Sequence, residues 1–213
     1  APHGTTILAD AQTAGRGRLG RSFFAPSGGI YMSVILHLNL AFSDAVLITT
    51  AASVAVCKAV EAVSSVRPQI KWVNDILVDG KKVCGISCEA VSAGETIDAV
   101  ILGVGINFSA QEFPKELQDT AGVLFSKPPV SRNVLTAEIL KNLLEETKDL
   151  ASQKFIEDYR MRSAVIGKPV RYLEAGVWHE AKAVGIDENG GLVILENGLS
   201  RTLVSGEVTL RIR

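Results

Sequence analysis

Apolar residues along this chain fall into short β-like blocks and into stretches with helical spacing, separated by glycine- and proline-rich turns. Thr5 to Ala9 (TTILA) and Ile30 to Leu38 (IYMSVILHL) are rich in the β-branched and apolar residues of strands. From Ala45 to Val63 apolar residues occupy nearly every side of a helix, which predicts a buried helix with Ser43 or Asp44 as its N-cap. Four β-prone pieces follow: Gln69 to Trp72, Ile76 to Val78, Val83 to Val91, and Thr96 to Phe108. Asp79-Gly80 between two of them is a hairpin turn pair, since both residues tolerate positive φ. Residues 111–130 contain Pro114, Pro128 and Pro129 and read as irregular loop. Ser131 then caps an amphipathic helix with Leu135, Ile139, Leu140, Leu143 and Leu144 at helical spacing, and a further helix is predicted over Lys154 to Arg162.

The pattern changes near Gly167. From Pro169 onward short strands alternate with turn signals at Gly176, Asp187 to Gly191, and Asn197-Gly198. Five strands in so short a stretch predict a small SH3-like barrel. The expected fold is therefore α+β, a mixed sheet with helices packed on it over residues 1–165, followed by the barrel over 166–213.

Charge narrows the function classes. The chain has 213 residues, with 22 basic against 23 acidic, so a general nucleic-acid coat is disfavoured. Cys57, Cys84 and Cys88 form no even, short-spaced disulfide framework, and His3, His37 and His179 are scattered, so a structural zinc site is not expected. The longest apolar run, around Ala45 to Val56, is interrupted by Thr49, Thr50 and Ser53 and is short for a membrane span. A reducing cytoplasmic setting is the expectation.

Ala14 to Arg21 (AGRGRLGR) satisfies G-x-G-x-x-G, the dinucleotide fingerprint. That reading needs a helix directly after the turn, and Phe23 to Gly29 (FFAPSGG) cannot supply one. No Gly-Lys-Ser/Thr follows, which excludes a Walker loop. What remains is a flexible loop whose glycines let backbone N–H groups approach a ligand. Arg16, Arg18 and Arg21 offer forks for phosphate or carboxylate, with a solvated basic turn as the alternative. Downstream, Lys71-Trp72-Val73-Asn74-Asp75-Ile76 leads into Lys82-Val83-Cys84-Gly85-Ile86, and Gly103-Val104-Gly105-Ile106-Asn107 ends an apolar strand. Glycines inside a strand mark a bulge or the close approach of a ligand or backbone.

In this order, the motifs resemble those of the biotin protein ligases: G-R-G-R-x-G-R, K-W-P-N-D-[IL], K-x-x-G-[IL] and G-x-G-[IV]-N. With the C-terminal barrel, the resemblance covers essentially the whole chain. It implies the class II aminoacyl-tRNA synthetase/biotin ligase-like fold and a two-step reaction. Biotin and ATP form biotinyl-5′-AMP, and a lysine of a biotin carboxyl carrier protein, of acetyl-CoA carboxylase or another carboxylase, then takes the biotin. The substrates implied are biotin and ATP, with Mg²⁺. The same resemblance implies Arg18, Lys82 and Asp75 as catalytic residues. It gives Gln12, Arg16, Gly17, Arg18, Lys82, Gly85 and Gly103, with Gly105, to biotin, and Arg18, Arg21, Phe23, Lys71, Asn74 and Asn107 to ATP. Glu89 is a weak Mg²⁺ candidate. No nucleic acid or membrane partner is implied, and a homodimer is compatible with it. A lipoate ligase-type acyl transferase and a non-catalytic biotinyl-adenylate binder are the alternatives.

Two departures carry expectations. Val73 stands where the family usually has proline, which frees φ and adds an N–H donor. The chain begins after the point where the family carries a Ser-Thr-Asn-type biotin motif, so residues ahead of Ala1 are expected. No winged-helix unit is present in these residues, so they do not support a repressor activity.

Overall fold

The computed structural model describes residues 1–38, 45–93, 96–109, 112–204 and 206–210. Six strands form the first sheet: β1 (Thr6–Ala9), β2 (Ile30–Leu36), β3 (Gln69–Lys71), β4 (Asp75–Val78), β5 (Lys81–Ala93) and β6 (Thr96–Ile106). Their order is β1-β2-β6-β5-β4-β3, and every strand pair is antiparallel. Isolated parallel bridges join Ile70 to Ser163 and Lys82 to Ala121, tying later segments to the sheet.

The period-2 alternation of strands divides the sheet into two unlike faces. On β6, Val100, Leu102, Val104 and Ile106 are buried, and they join Val34, Leu36, Cys84 and Ile86 in the main core. That core is covered by α1 (Ala45–Val63), α2 (Arg132–Thr147) and α3 (Phe155–Met161). The intervening positions, Ile101, Gly103 and Gly105, line a cavity.

α1 is long and apolar enough to cross a membrane, yet 72% of that window is buried inside the fold. Its Thr50 and Ser53 hydroxyls donate to the carbonyls of Val46 and Thr49, at 2.8 Å in each case, which lets polar residues sit in the core. The expected caps, Ser43 and Asp44, lie outside the described residues. Ser131 caps α2 as expected, its Oγ accepting from the Val134 N–H. Leu135, Ile139 and Leu143 are buried, whereas Leu144 is 41% exposed and does not join them. Asp79 and Gly80 both take positive φ, as a type I′ turn requires. The Trp72–Val73 peptide is cis.

The second sheet contains β7 (Pro169–Glu174), β8 (Val177–Ile186), β9 (Leu192–Glu196), β10 (Leu199–Leu203) and β11 (Glu207–Leu210) in the order β10-β9-β8-β7-β11. Arg160 on α3 donates through Nε to the Ile186 carbonyl at 2.8 Å, joining the barrel to the first unit.

Candidate active site

The arginine loop is more ordered than a flexible loop. Its two arms run antiparallel: Gln12 N–H donates to the Ala25 carbonyl at 2.9 Å, Phe23 N–H to Gly15 at 2.8 Å, and Gly17 N–H to Arg21 at 2.7 Å. A single 3₁₀ turn, Arg18–Gly20, closes the tip. The segment is a hairpin flap, and the Gly17 N–H expected to meet a ligand is engaged by the opposite arm. Gly15 is where the arms press together, because a Cβ there would stand 2.5 Å from the Phe23 carbonyl oxygen.

The flap folds over the site face of the sheet. Arg18 Nη1 donates to Asn74 Oδ1 at 3.2 Å, fastening its tip to the β3–β4 turn. Asn74 is held in turn by Ile86, donating through Nδ2 to its carbonyl at 2.6 Å and accepting its N–H at 3.0 Å. Beside it, Asp75 meets Lys82 Nζ at 2.6 Å and Lys71 Nζ at 3.8 Å. The Lys82 backbone is fixed on both sides: its N–H donates to Thr120 at 2.8 Å and its carbonyl accepts from Gly122 at 2.9 Å. Neighbouring Asn107 is buried and donates through Nδ2 to the Gly122 carbonyl at 3.0 Å, while its Oδ1 has no protein partner.

Three cavities adjoin under the flap. The first, about 360 Å³, is lined by Gln12, Arg16, Gly17, Arg18, Gly85, Gly103, Gly105 and Glu89, with Tyr31, Ser33 and Ser87. The second, about 570 Å³, is lined by Arg21, Lys71, Asp75 and Asn107, with Phe24, Phe113 and Asp119. A smaller cleft of about 140 Å³ includes Asn74, Trp72, Gly206 and Val208. Lys82 and Phe23 line all three. Every residue singled out from the sequence thus lines one of these spaces.

The strand glycines make room for protein side chains in this structure. A Cβ on Gly105 would stand 2.6 Å from the Phe23 ring, one on Gly103 would stand 2.5 Å from Ser87 Oγ, and one on Gly85 would stand 3.2 Å from Lys82 Nζ. Gly105 therefore leaves room for the Phe23 ring, which lines both the first and the second cavity. Ser33 and Ser87 were overlooked in the sequence. Both pair in register with Gly103, so three strands present small or polar groups in one row. A serine at a period-2 position of an apolar strand was the available signal.

Glu89 lines the first cavity away from the Lys82–Asp75 pair. It is exposed and lies about 23 Å along β5 from Lys82, at ~3.3 Å per residue. Among the described residues no three His, Cys, Asp or Glu side chains converge as a metal site. The residues alone therefore do not build a Mg²⁺ cage, and a magnesium ion here would rely on substrate phosphates for most of its ligands. The cysteines are poor nucleophiles, because burial pushes the Cys57 thiol up to about 12 and the Cys88 thiol up to about 11.

Residues 1–107 match the biotin/lipoate A/B protein ligase family, and residues 165–211 match the biotin protein ligase C-terminal domain. The bifunctional ligase/repressor BirA of Bacillus spizizenii is 34% identical over 99% of this chain and 67% of its own length. The biotin–[acetyl-CoA-carboxylase] ligase of Mycobacterium tuberculosis is 30% identical over 96% of this chain and 78% of its own length. The biotin protein ligase of Aquifex aeolicus, solved in complex with biotin and ATP, aligns with a TM-score of 0.84 and 30% identity, covering 99% of this chain and 90% of that one. With both domains matched in order and relatives aligned along almost its full length, this chain belongs to the biotin protein ligase family.

Proposed function

We propose that the protein joins biotin to ATP as biotinyl-5′-AMP and then transfers the biotin to a lysine of a biotin carboxyl carrier protein. One observation carries this reading: a single half-buried cation, Lys82, lines both large cavities at the point where they meet. Biotin fits the first cavity, whose far wall carries small and polar groups, and ATP the second, which offers Phe23 and Phe24 for the base and Arg21 and Lys71 for the phosphates.

In the first step a biotin carboxylate oxygen attacks the α-phosphorus. The bond to the β-phosphate breaks, and pyrophosphate leaves with the electron pair. Two anions must approach, so Lys82 and Arg18 offset their charge in a site prepared before reaction. Asn107 Oδ1, buried without a protein partner, is available to accept from the adenine amino group. Mg²⁺ would supply charge neutralisation on the phosphates. The flap then keeps water from the mixed anhydride while Arg18 remains fastened to Asn74.

In the second step the neutral carrier amine attacks the biotinyl carbonyl, the acyl–oxygen bond breaks and AMP leaves. Asp75 orients the incoming lysine and takes its proton, released from Lys82 as the phosphate draws that ammonium away. The free cysteines accord with a reducing, cytoplasmic setting, and the carboxyl carrier domain of acetyl-CoA carboxylase is the partner its relatives' names favour. Exchange of labelled pyrophosphate into ATP tests the reading. Exchange that requires biotin supports it; exchange that requires lipoate, or none with either acid, overturns it.

A further inference from the structure

β3 is the edge of the first sheet, and only β4 pairs with it there. A three-residue edge strand is a weak support for the Asn74–Asp75 turn that follows it. Besides the Arg18–Asn74 bond and the Ala164 N–H that donates to the Ile70 carbonyl at 2.8 Å, three bonds from outside the sheet hold it. Ile70 N–H donates to the Arg162 carbonyl at 2.8 Å, Tyr159 Oη to the Val73 carbonyl at 3.2 Å, and Trp72 Nε1 to the Gly190 carbonyl at 2.9 Å. The last comes from the barrel, across a sequence separation of 118 residues, and is buried.

The barrel turn that offers this carbonyl is itself braced. Asp187 Oδ1 accepts from the N–H groups of Asn189 at 2.9 Å and Gly191 at 2.7 Å, closing a tight turn over Asp187 to Gly191. The turn is seated on α1: Gly190 takes φ +79°, and a Cβ there would stand 2.9 Å from Thr50 Oγ1. The Gly190 carbonyl therefore reaches Trp72 from a rigid mount.

We infer that Trp72 and the Asp187–Gly191 turn are positioning elements for the adenylation step: the barrel sets where Lys71, Asn74 and Asp75 stand. The inference rests on the biotin ligase reading above. Trp72 lines the small cleft with Arg21, Lys71 and Asp75 and not the first cavity, which Asn74 does line, so the latch acts on the phosphate side through Lys71 and Asp75. Losing one buried donor frees the turn by a fraction of an ångström, and displacement on that scale is costly to a reaction that depends on alignment.

The test uses the full chain with Trp72→Phe, which keeps the apolar bulk and removes the donor, and with Asp187→Ala, which loosens the mount without touching the cleft. In biotin-dependent pyrophosphate exchange, Trp72→Phe is expected to lower kcat/KM for ATP by about tenfold, while the biotin Kd stays within about twofold. Asp187→Ala lowers the same constant, and the double variant is no worse than Trp72→Phe alone, because both act through one contact. Amide hydrogen exchange at residues 71–75 accelerates in both. Wild-type ATP kinetics in both variants, or a parallel loss of biotin affinity, overturns the latch. A wild-type protein with no biotin-dependent exchange overturns the function instead, and amide exchange at 71–75 then still decides whether the latch holds the turn.

Discussion

Two clusters of charge lie on opposite sides of the first sheet, and they are built to different rules. On the helical side, Lys58 pairs with Glu146 and Asp158, each at 2.7 Å, and Arg162 pairs with Glu61 at 2.8 Å and Asp158 at 2.9 Å. Every carboxylate there has a cation, and the cluster joins α1, α2 and α3. On the flap side, Arg16, Arg18, Arg21, Lys71 and Lys82 line the cavities against Glu89, Asp75 and Asp119. The helical cluster, two cations against three carboxylates, pairs all its charges within the protein, whereas the flap side holds an excess of positive charge that suits an anionic ligand. Charge density alone does not mark a site; imbalance beside a cavity does.

Substitutions should separate the two clusters. Lys82→Ala is expected to depress biotin-dependent pyrophosphate exchange by about 10²-fold, the scale of other preorganised charge contacts, with little change in Tm. Near-normal exchange would remove Lys82 from the chemistry. Arg18→Gly should leave adenylate formation measurable but release the tip of the flap from Asn74. Free biotinyl-adenylate should then rise about tenfold, measured by chromatography of the reaction mixture, since the unfastened tip no longer shields it. Unchanged release would show that the flap is not the barrier.

The helical cluster should respond in stability instead. Burial pushes the Asp158 carboxyl up, but hydrogen bonds and charge from Lys58 and Arg162 outweigh it and hold the carboxyl below its usual range. A carboxyl depressed in the folded state stabilises above its unfolded pKa, and that contribution is lost as pH falls through the folded value. Asp158→Asn should therefore lower Tm by about 3 °C at pH 7, with the difference closing below about pH 4, while exchange kinetics stay normal. A rate loss without a Tm change would erase the distinction between the clusters.

Much of this was legible in the sequence because the signals were local or repetitive. The period-2 strands, the Ser131 cap and the Asp79-Gly80 turn each follow from neighbouring residues, and the four motifs carried the site. What was hidden depended on pairing at a distance. The ladder between Gly15 and Phe23 turns a run of glycines and arginines into a hairpin, and no single residue announces it. Glu89, the metal candidate, stands about 23 Å of extended chain along β5 from Lys82, a separation that no motif announces. The strand glycines pointed to close approach, and in the fold Phe23, Ser87 and Lys82 stand against them. Trp72 likewise finds its hydrogen-bond partner 118 residues away, at Gly190 in the barrel.

The placement of β11 bears on how the protein matures. Gly206 and Val208 wall the small cleft, Thr209 walls the second cavity, and β11 is held there by pairing with β7. A ribosome that has released residues 1–165 has made the flap, both lysines and Asp75, but the second cavity and the small cleft still lack a side. On the proposed reaction, the site is therefore complete only once β11 has paired with β7, and a chain cut before Gly206 lacks that wall.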